Sequence, residues 1–192
     1  MHIIRLPALF GLGLKKNFIF DILNPEPSFI KPDKFDALMG TFSDAESAAL
    51  QQAYSYDVGL EMWAYKRVEY MNSDVSKVLI EAFARENFLS TQFTNSESRF
   101  QYYNLANLSG DIGTAVQKDI DVLNICSAPV QASDVHKFLT GKEFANTGPP
   151  RVDEDVRSDH GKAFGSDSDY LYEQSEILDD LSRYYTSSMG QS

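Results

Sequence analysis

Apolar residues between residues 43 and 140 recur mostly at helical spacing. The clearest stretch follows residues 72–74, whose Asn-Ser-Asp sequence ends one helix and caps the next. It has the i, i+3, i+4, i+7, i+8 spacing of an amphipathic helix: Val75, Val78, Leu79, Ala82 and Phe83. A second such stretch runs from residue 112 to residue 123. We expect a compact helical core whose buried side chains include Trp63, Val78, Leu79, Phe83, Val116 and Ile120.

Helix-start signals divide this core into separate helices. Residues 43–46 and 94–97 both have the capping-box pattern, a Ser or Thr followed three positions later by Glu. The first box predicts a helix reaching to about residue 71, and the second predicts one that ends near Gly110. Ser133 begins a short helix that Gly141 stops.

The first 42 residues are expected to form an apolar arm and a proline-rich linker. The stretch 3–20 is apolar but interrupted by Pro, Gly and a Lys pair, and three prolines fall within 24–33. Residues 17–22 are expected to be a short strand or extended segment. An arm of this kind packs on a neighbouring chain or, alternatively, on its own domain. Its partner-binding candidates are Phe10, Phe18 and Phe20.

Beyond residue 140 the composition changes. Residues 141–168 are rich in Gly, Pro, Ser and Asp, which predicts a flexible acidic linker. Residues 169–192 have the pattern of a short acidic amphipathic helix, with caps at 166–169. Such a helix docks on a partner or, alternatively, packs back on its own chain. Its partner-binding candidates are Leu171, Ile177, Leu178 and Leu181.

The predicted fold class is therefore mainly α: an irregular bundle of about five helices with an extended N-terminal arm and an acidic C-terminal tail that ends in a short helix. The predicted segments are the arm and linker, the helical core, the acidic linker, and the docking helix with the terminus: residues 1–42, 43–140, 141–168 and 169–192.

Charge narrows the classes of partner. The chain of 192 residues has 28 Asp and Glu against 17 Lys and Arg, a net charge of -11. Since nucleic-acid affinity rests largely on Lys and Arg, we expect no direct sequence-specific nucleic-acid binding. The first 20 residues contain three bases and no acid, so contact of residues 1–20 with a membrane surface is one alternative for the arm.

No catalytic motif stands out in the sequence. One cysteine, Cys126, cannot form an internal disulfide. His136 follows ten positions later, but closeness in sequence alone does not indicate a Cys–His catalytic pair. We expect Cys126 to be a buried thiol and His136 to be a surface imidazole. The acid pairs near 153 and 167 lack the oxygen ligand at position 5 of a calcium loop. We therefore predict no catalytic, cofactor or metal site and no enzyme activity.

These features predict a non-catalytic structural or assembly subunit of a large multi-chain complex, with other protein subunits as partners. It would contact its neighbours through the arm and the C-terminal helix. A virus particle and a respiratory-type complex of the mitochondrial inner membrane fit this pattern, and secretion does not. The alternative is an acidic adaptor or chaperone that binds and shields a basic protein partner.

Overall fold

The computed structural model describes residues 1–190. It is 46% helical and 15% strand with several small sheets, so the chain is mixed α/β. The prediction of a mainly α bundle is wrong. The reason is that many strands have only two or three residues, too few for the alternating pattern by which a strand is recognised in a sequence.

The secondary structure is spread along the whole described chain. The strands are β1 (Ile3–Arg5), β2 (Ala8–Phe10), β3 (Phe29–Ile30), β4 (Tyr54–Asp57), β5 (Met62–Tyr65), β6 (Arg99–Phe100), β7 (Tyr102–Asn104), β8 (Val122–Asn124) and β9 (Val130–Gln131). The α-helices are α1 (Phe18–Leu23), α2 (Pro32–Thr41), α3 (Asp44–Ala53), α4 (Arg67–Tyr70), α5 (Asp74–Arg85), α6 (Leu108–Gln117), α7 (Ala132–Thr140) and α8 (Gln174–Met189). Single 3-10 turns cover Ser90–Phe93, Leu105–Asn107 and Gly161–Phe164.

The chain forms two compact units. Within the described residues, the first combines Met1–Leu23 with residues 94–190, and the second is Asn24–Phe93. These boundaries differ from those of the four segments expected from composition.

The second unit, residues 24–93, packs helices on a three-stranded antiparallel sheet of order β3-β5-β4. Its core is aromatic and aliphatic: Ile30, Phe35, Leu38, Phe42, Ala49, Leu50, Ala53, Tyr54, Tyr65, Leu79, Ala82 and Phe83. Burial of Leu79 and Phe83 confirms part of the predicted core, whereas Val78 is 37% exposed. Trp63 is partly buried and stacks on Phe35, with ring centroids 4.0 Å apart.

The helix predicted from residue 43 to about residue 71 ends at Ala53, where a β-hairpin begins. Tyr54 pairs with Tyr65 and Tyr56 with Trp63, so bulky aromatic side chains meet across the two strands. The Asp57 carboxylate accepts hydrogen bonds from the backbone N–H groups of Gly59 and Leu60 and thereby closes the hairpin. This local bond competes with helix continuation.

Of the helix starts predicted at residues 43, 73 and 94, the first two are confirmed and the third is wrong, while the helix predicted to start at Ser133 begins at Ala132 without a side-chain cap. Ser43 and Glu46 form a complete capping box on α3, and the Ser73 hydroxyl accepts the Ser76 N–H at the start of α5. At the second predicted box, the Asn95 side chain instead accepts the Glu97 N–H in a tight turn, and the chain continues as β6 and β7. Gly110, expected to end that helix, lies inside α6.

The first unit brings the N-terminal arm to strands far along the chain. β1 pairs in parallel with β8, and β2 in parallel with β7. The arm therefore packs on its own unit, the alternative considered above. Residues 17–22 lie mostly in helix α1 rather than in a strand, because the Asn17 side chain accepts the Phe20 N–H and starts a helix.

Hydrogen bonds hold the segment expected to be a flexible linker. Residue 146 accepts from Ser96 N–H, and residue 152 accepts from Arg99 N–H. The Gln101 side chain pairs with both backbone groups of Val156, at 2.7 and 2.8 Å. An extended segment of Gly, Pro and Asp composition is thereby ordered through its backbone.

The C-terminal helix starts later than expected, at Gln174, where Glu173 and Glu176 form a reciprocal cap. It packs within its own unit, again the alternative considered above. Its buried face joins Phe10, Ile19, Tyr102, Val130 and Val135 in one cluster. A neighbouring cluster contains Ile120, whose burial confirms its predicted place in a core, while Val116 is 53% exposed.

One ion pair in the second unit makes stability depend on pH. The Arg85 guanidinium lies 2.7 Å from Glu46 Oε1 and lowers the pKa of that carboxyl from 4.5 to about 2. A lowered pKa stabilises the fold above pH 4.5, and this stabilisation is lost as the pH falls towards 2. We expect Glu46→Gln and Arg85→Met to flatten the fall in unfolding free energy over that window. Urea titrations at stepped pH measure it, and an unchanged slope in both variants would contradict the assignment.

A second test concerns a buried hydroxyl. Tyr102 is 1% exposed, and among the described residues its OH has no hydrogen-bond partner. The neighbouring Tyr103 OH donates to Asp111 Oδ2 at 2.5 Å. Tyr102→Phe should leave the free energy of unfolding unchanged or raise it by up to about 1 kcal/mol, whereas Tyr103→Phe should lower it by about 1–3 kcal/mol. Equal losses in urea unfolding would show that the Tyr102 hydroxyl is partnered.

Candidate functional site

A cleft in the first unit lies between the loop after β2 and helix α8. Its volume is about 560 Å³, within the range of ligand pockets. It is lined by both ends of the chain and by the turn after β7: Gly11, Leu12, Asn104, Leu105, Ala106, Asp180, Arg183, Tyr184 and Ser187. The two segments that the sequence singled out for contacts thus border one cleft.

Left-handed backbone shapes the arm side of the cleft. Gly11 has φ +150° and Gly13 has φ +79°, conformations that glycine adopts without strain. A Cβ at Gly11 would lie 3.3 Å from Leu105 Cβ. The absence of a side chain at Gly11 therefore lets Leu105 approach the loop closely. Between the glycines, Leu12 is 88% exposed. Asn17 ends the loop by donating from Nδ2 to Leu9 O at 2.6 Å.

A polar cluster forms the opposite wall. The Asp180 carboxylate accepts from Asn104 Nδ2 at 3.1 Å and from Asn107 Nδ2 at 3.5 Å, and it pairs with Arg183 one turn further along α8. The Asp180 side chain is 15% exposed and that of Arg183 is 72% exposed. The carboxylate is therefore fixed by two amides, while the guanidinium lies at the surface.

A second cleft of about 270 Å³ adjoins the first on the same helix. It shares Asp180 and Arg183 with the larger cleft and adds Glu176, Asp179 and the ring of Tyr172. Three carboxylates against one guanidinium make this surface acidic. The shared residues make the two clefts one elongated surface, which favours cations and extended ligands.

The structure places the predicted partner-binding residues mainly inside the first unit. Five are buried: Phe10, Phe18, Leu171, Ile177 and Leu181. Two are partly buried: Phe20 and Leu178. Arm and helix cover each other at Phe10, Ile177 and Leu181, which share one cluster, and the rings of Phe10 and Tyr184 lie 5.7 Å apart. Phe18 instead packs on Phe144, and Leu171 belongs to the cluster that contains Ile120. Their contact with another chain stays a prediction.

Leu12, Asp180 and Arg183 line the cleft but were not among the predicted site residues. They lie within the segments expected to be an apolar arm and an amphipathic docking helix. The available signal was the Gly11-Leu12-Gly13 sequence, since a leucine between two glycines is typical of an exposed loop.

The remaining candidate chemistry lies in separate environments. Burial raises the pKa of the Cys126 thiol, whose Sγ contacts Asp169 O at 3.6 Å. The His136 ring stacks on Phe144 and its Nδ1 lies 3.0 Å from Lys142 O. Over residues 1–190, no three His, Cys, Asp or Glu side chains are grouped so that they could hold a metal ion.

Two further findings concern membrane spans and similarity to known proteins. None of the helices within the described residues combines the length and apolar character required to cross a membrane. No protein-family model, curated protein or solved structure matches the sequence or the fold.

The glycines of the cleft loop give a direct test of its geometry. Gly13→Ala should lower the free energy of unfolding by about 1–3 kcal/mol, because a left-handed conformation strains alanine. Gly11→Ala should lower it further, because its Cβ must also displace Leu105. Chemical denaturation measures both, and a Gly11 variant as stable as the wild type would contradict this loop conformation. Gly110→Ala, within α6 and in open space, is the matched control and should not be destabilised.

Proposed function

We propose that the protein is a non-catalytic subunit of a larger protein assembly and that it contacts a neighbouring chain through the cleft between its N-terminal arm and helix α8. The observation that carries this proposal is the cleft itself, because arm and helix line it together. The exposed Leu12 supplies an apolar contact, and Phe10 packs on Tyr184, which lines the cleft.

The occupant we propose is an extended segment of the partner that carries a basic residue beside a large apolar one. The basic residue would meet the acidic side of the surface, Glu176, Asp179 and Asp180. The apolar residue would pack on Leu12 and Leu105. An extended segment fits because the two clefts continue into each other along α8.

The setting of the assembly stays a prediction, with a virus particle and a respiratory-type membrane complex as the alternatives. Contact of residues 1–20 with a membrane surface also stays a prediction. The second candidate function, an acidic adaptor or chaperone for a basic protein, is favoured by the same excess of carboxylates around α8. The two functions differ in the lifetime of the complex with the partner, because an assembly subunit stays bound and a chaperone releases its partner.

The proposed contact can be tested with a photoreactive amino acid at position 12 in the native cells. We expect an adduct with one partner chain at fixed stoichiometry, whose cross-linked peptide contains Lys or Arg. The matched control places the same amino acid at position 116, which is 53% exposed on the same unit and outside the cleft. Purification of a lone monomer without an adduct specific to position 12 would overturn the proposal.

Substitutions in the cleft test how much its residues contribute to the free energy of binding the partner. Leu12→Ser should weaken binding of the identified partner at least about tenfold, because burying a leucine is worth roughly 1.5–3 kcal/mol. Val116→Ser should leave binding unchanged. Arg183→Ala should strengthen binding of a basic segment, because it frees the Asp180 carboxylate. Titration calorimetry measures all three, and equal affinities for the two serine variants would contradict the cleft as the binding site.

A further inference from the structure

The two edges of the sheet in the second unit differ in how they are protected. The β3 edge is two residues long, lies between Pro27 and Pro32, and is followed by Lys31. Short strands, prolines and lysines are the devices that keep sheet edges from pairing with other chains. β4 is four residues long, contains neither proline nor lysine, and has none of these devices.

The hydrogen-bond pattern turns the backbone groups of Tyr54 and Tyr56 away from β5, and the Tyr54 N–H is bonded to Leu50 O at the end of α3. Lys66 N–H bonds to Ala53 O at 2.9 Å, and bonded pairs alternate along an antiparallel ladder. Ser55 and Asp57 therefore direct their backbone groups towards β5, and Tyr56 directs its N–H and C=O away from the sheet. In the described part of the chain, β4 has a partner strand on its β5 side only.

The side chains along this edge are apolar and exposed. Tyr56 is 44% exposed, and in the hairpin turn Val58 is 80% and Leu60 53% exposed. The Tyr56 ring meets Trp63 edge-on at 5.6 Å, so a strand added beside β4 would cover a preformed aromatic surface. The one charged side chain of the strand, Asp57, is turned into the hairpin by its bonds to Gly59 and Leu60.

We propose that β4 pairs antiparallel with β4 of a second copy of this chain, about a twofold axis at Tyr56. Tyr56 N–H and C=O bond to the same groups of the second copy, and each Val58 N–H bonds to the Tyr54 C=O opposite. The two three-stranded sheets become one six-stranded sheet. This contact lies in a different unit from the cleft and is independent of the proposed function.

A second copy fits this edge because the pairing is self-complementary. The twofold register places Asp57 opposite Ser55 and Tyr54 opposite Val58, so no two like charges face each other. The blunted β3 edges lie at the two outer ends of the joined sheet, and pairing therefore stops at a closed dimer. Closed twofold dimers are the commonest soluble oligomers.

The test is sedimentation equilibrium of the full chain and its variants. An interface made by one edge strand is below about 1,200 Å², so we expect a wild-type dimer that dissociates at about 1–100 μM. Tyr56→Lys and Tyr56→Glu should each weaken the dimer at least about tenfold, because they place like charges opposite each other. Mixing the two variants should restore association as a heterodimer. Val68→Lys, at an apolar residue that is 99% exposed, is the matched control and should dimerise like the wild type.

Hydrogen exchange on the wild-type chain tests the register without any substitution. As the concentration rises, exchange at the Tyr56 amide should slow, while that at Ser55, already bonded within the hairpin, should not change. A wild-type monomer at about 100 μM would overturn the proposal. It would also be overturned by equal dissociation constants for Tyr56→Lys and Val68→Lys, or by a dimer that leaves Tyr56 exchange unchanged.

Discussion

The parallel pairing of the N-terminal arm with strands near residues 102 and 122 is the constraint on which the rest of the first unit depends. It joins the first 23 residues to the chain beyond residue 94, although the whole second unit lies between them in sequence. Such pairing closes a long loop, which costs chain entropy that the contacts of the arm must offset. Once formed, it fixes Phe10 in the core and Leu12 at the surface.

Two polar side chains, those of Gln101 and Asp111, hold the parts of the first unit that do not pair with the arm. The Gln101 side-chain amide accepts from Val156 N–H, donates to Val156 O and also donates to Ser127 O. It thus makes with Val156 the pair of hydrogen bonds that a neighbouring strand backbone would make. The Asp111 carboxylate accepts from Tyr103 and from Tyr172, joining α6 to the segment that leads into α8. Buried polar groups with their partners in place specify one arrangement of otherwise irregular chain. The position of α8, and with it the cleft, follows from these bonds.

Each unit therefore presents one candidate binding surface of its own, and the two surfaces differ in the interactions they can make. The cleft of the first unit presents carboxylates and an exposed leucine, which suit the basic partner we propose. The β4 edge of the second unit presents backbone groups that suit the proposed pairing with an identical strand. A dimer formed through β4, as we propose, would carry two clefts, and linked sites that can be occupied together bind a repeating partner more tightly than one site alone.

The sequence by itself determined some of the local structures. The capping box at Ser43, the cap at Ser73 and the glycine stop at Gly141 all stand as predicted, because their bonds join residues within one or two turns. Helical spacing correctly placed Leu79 and Phe83 in a core. The tertiary structure alone decided the fold class, the partners of the arm, the order of residues 141–168 and the residues that line the cleft. Strands such as β6 and β9 have two residues each, and β1 and β8 pair over more than a hundred positions. A pattern read along the chain contains no information on which distant backbone groups will satisfy each other's hydrogen bonds.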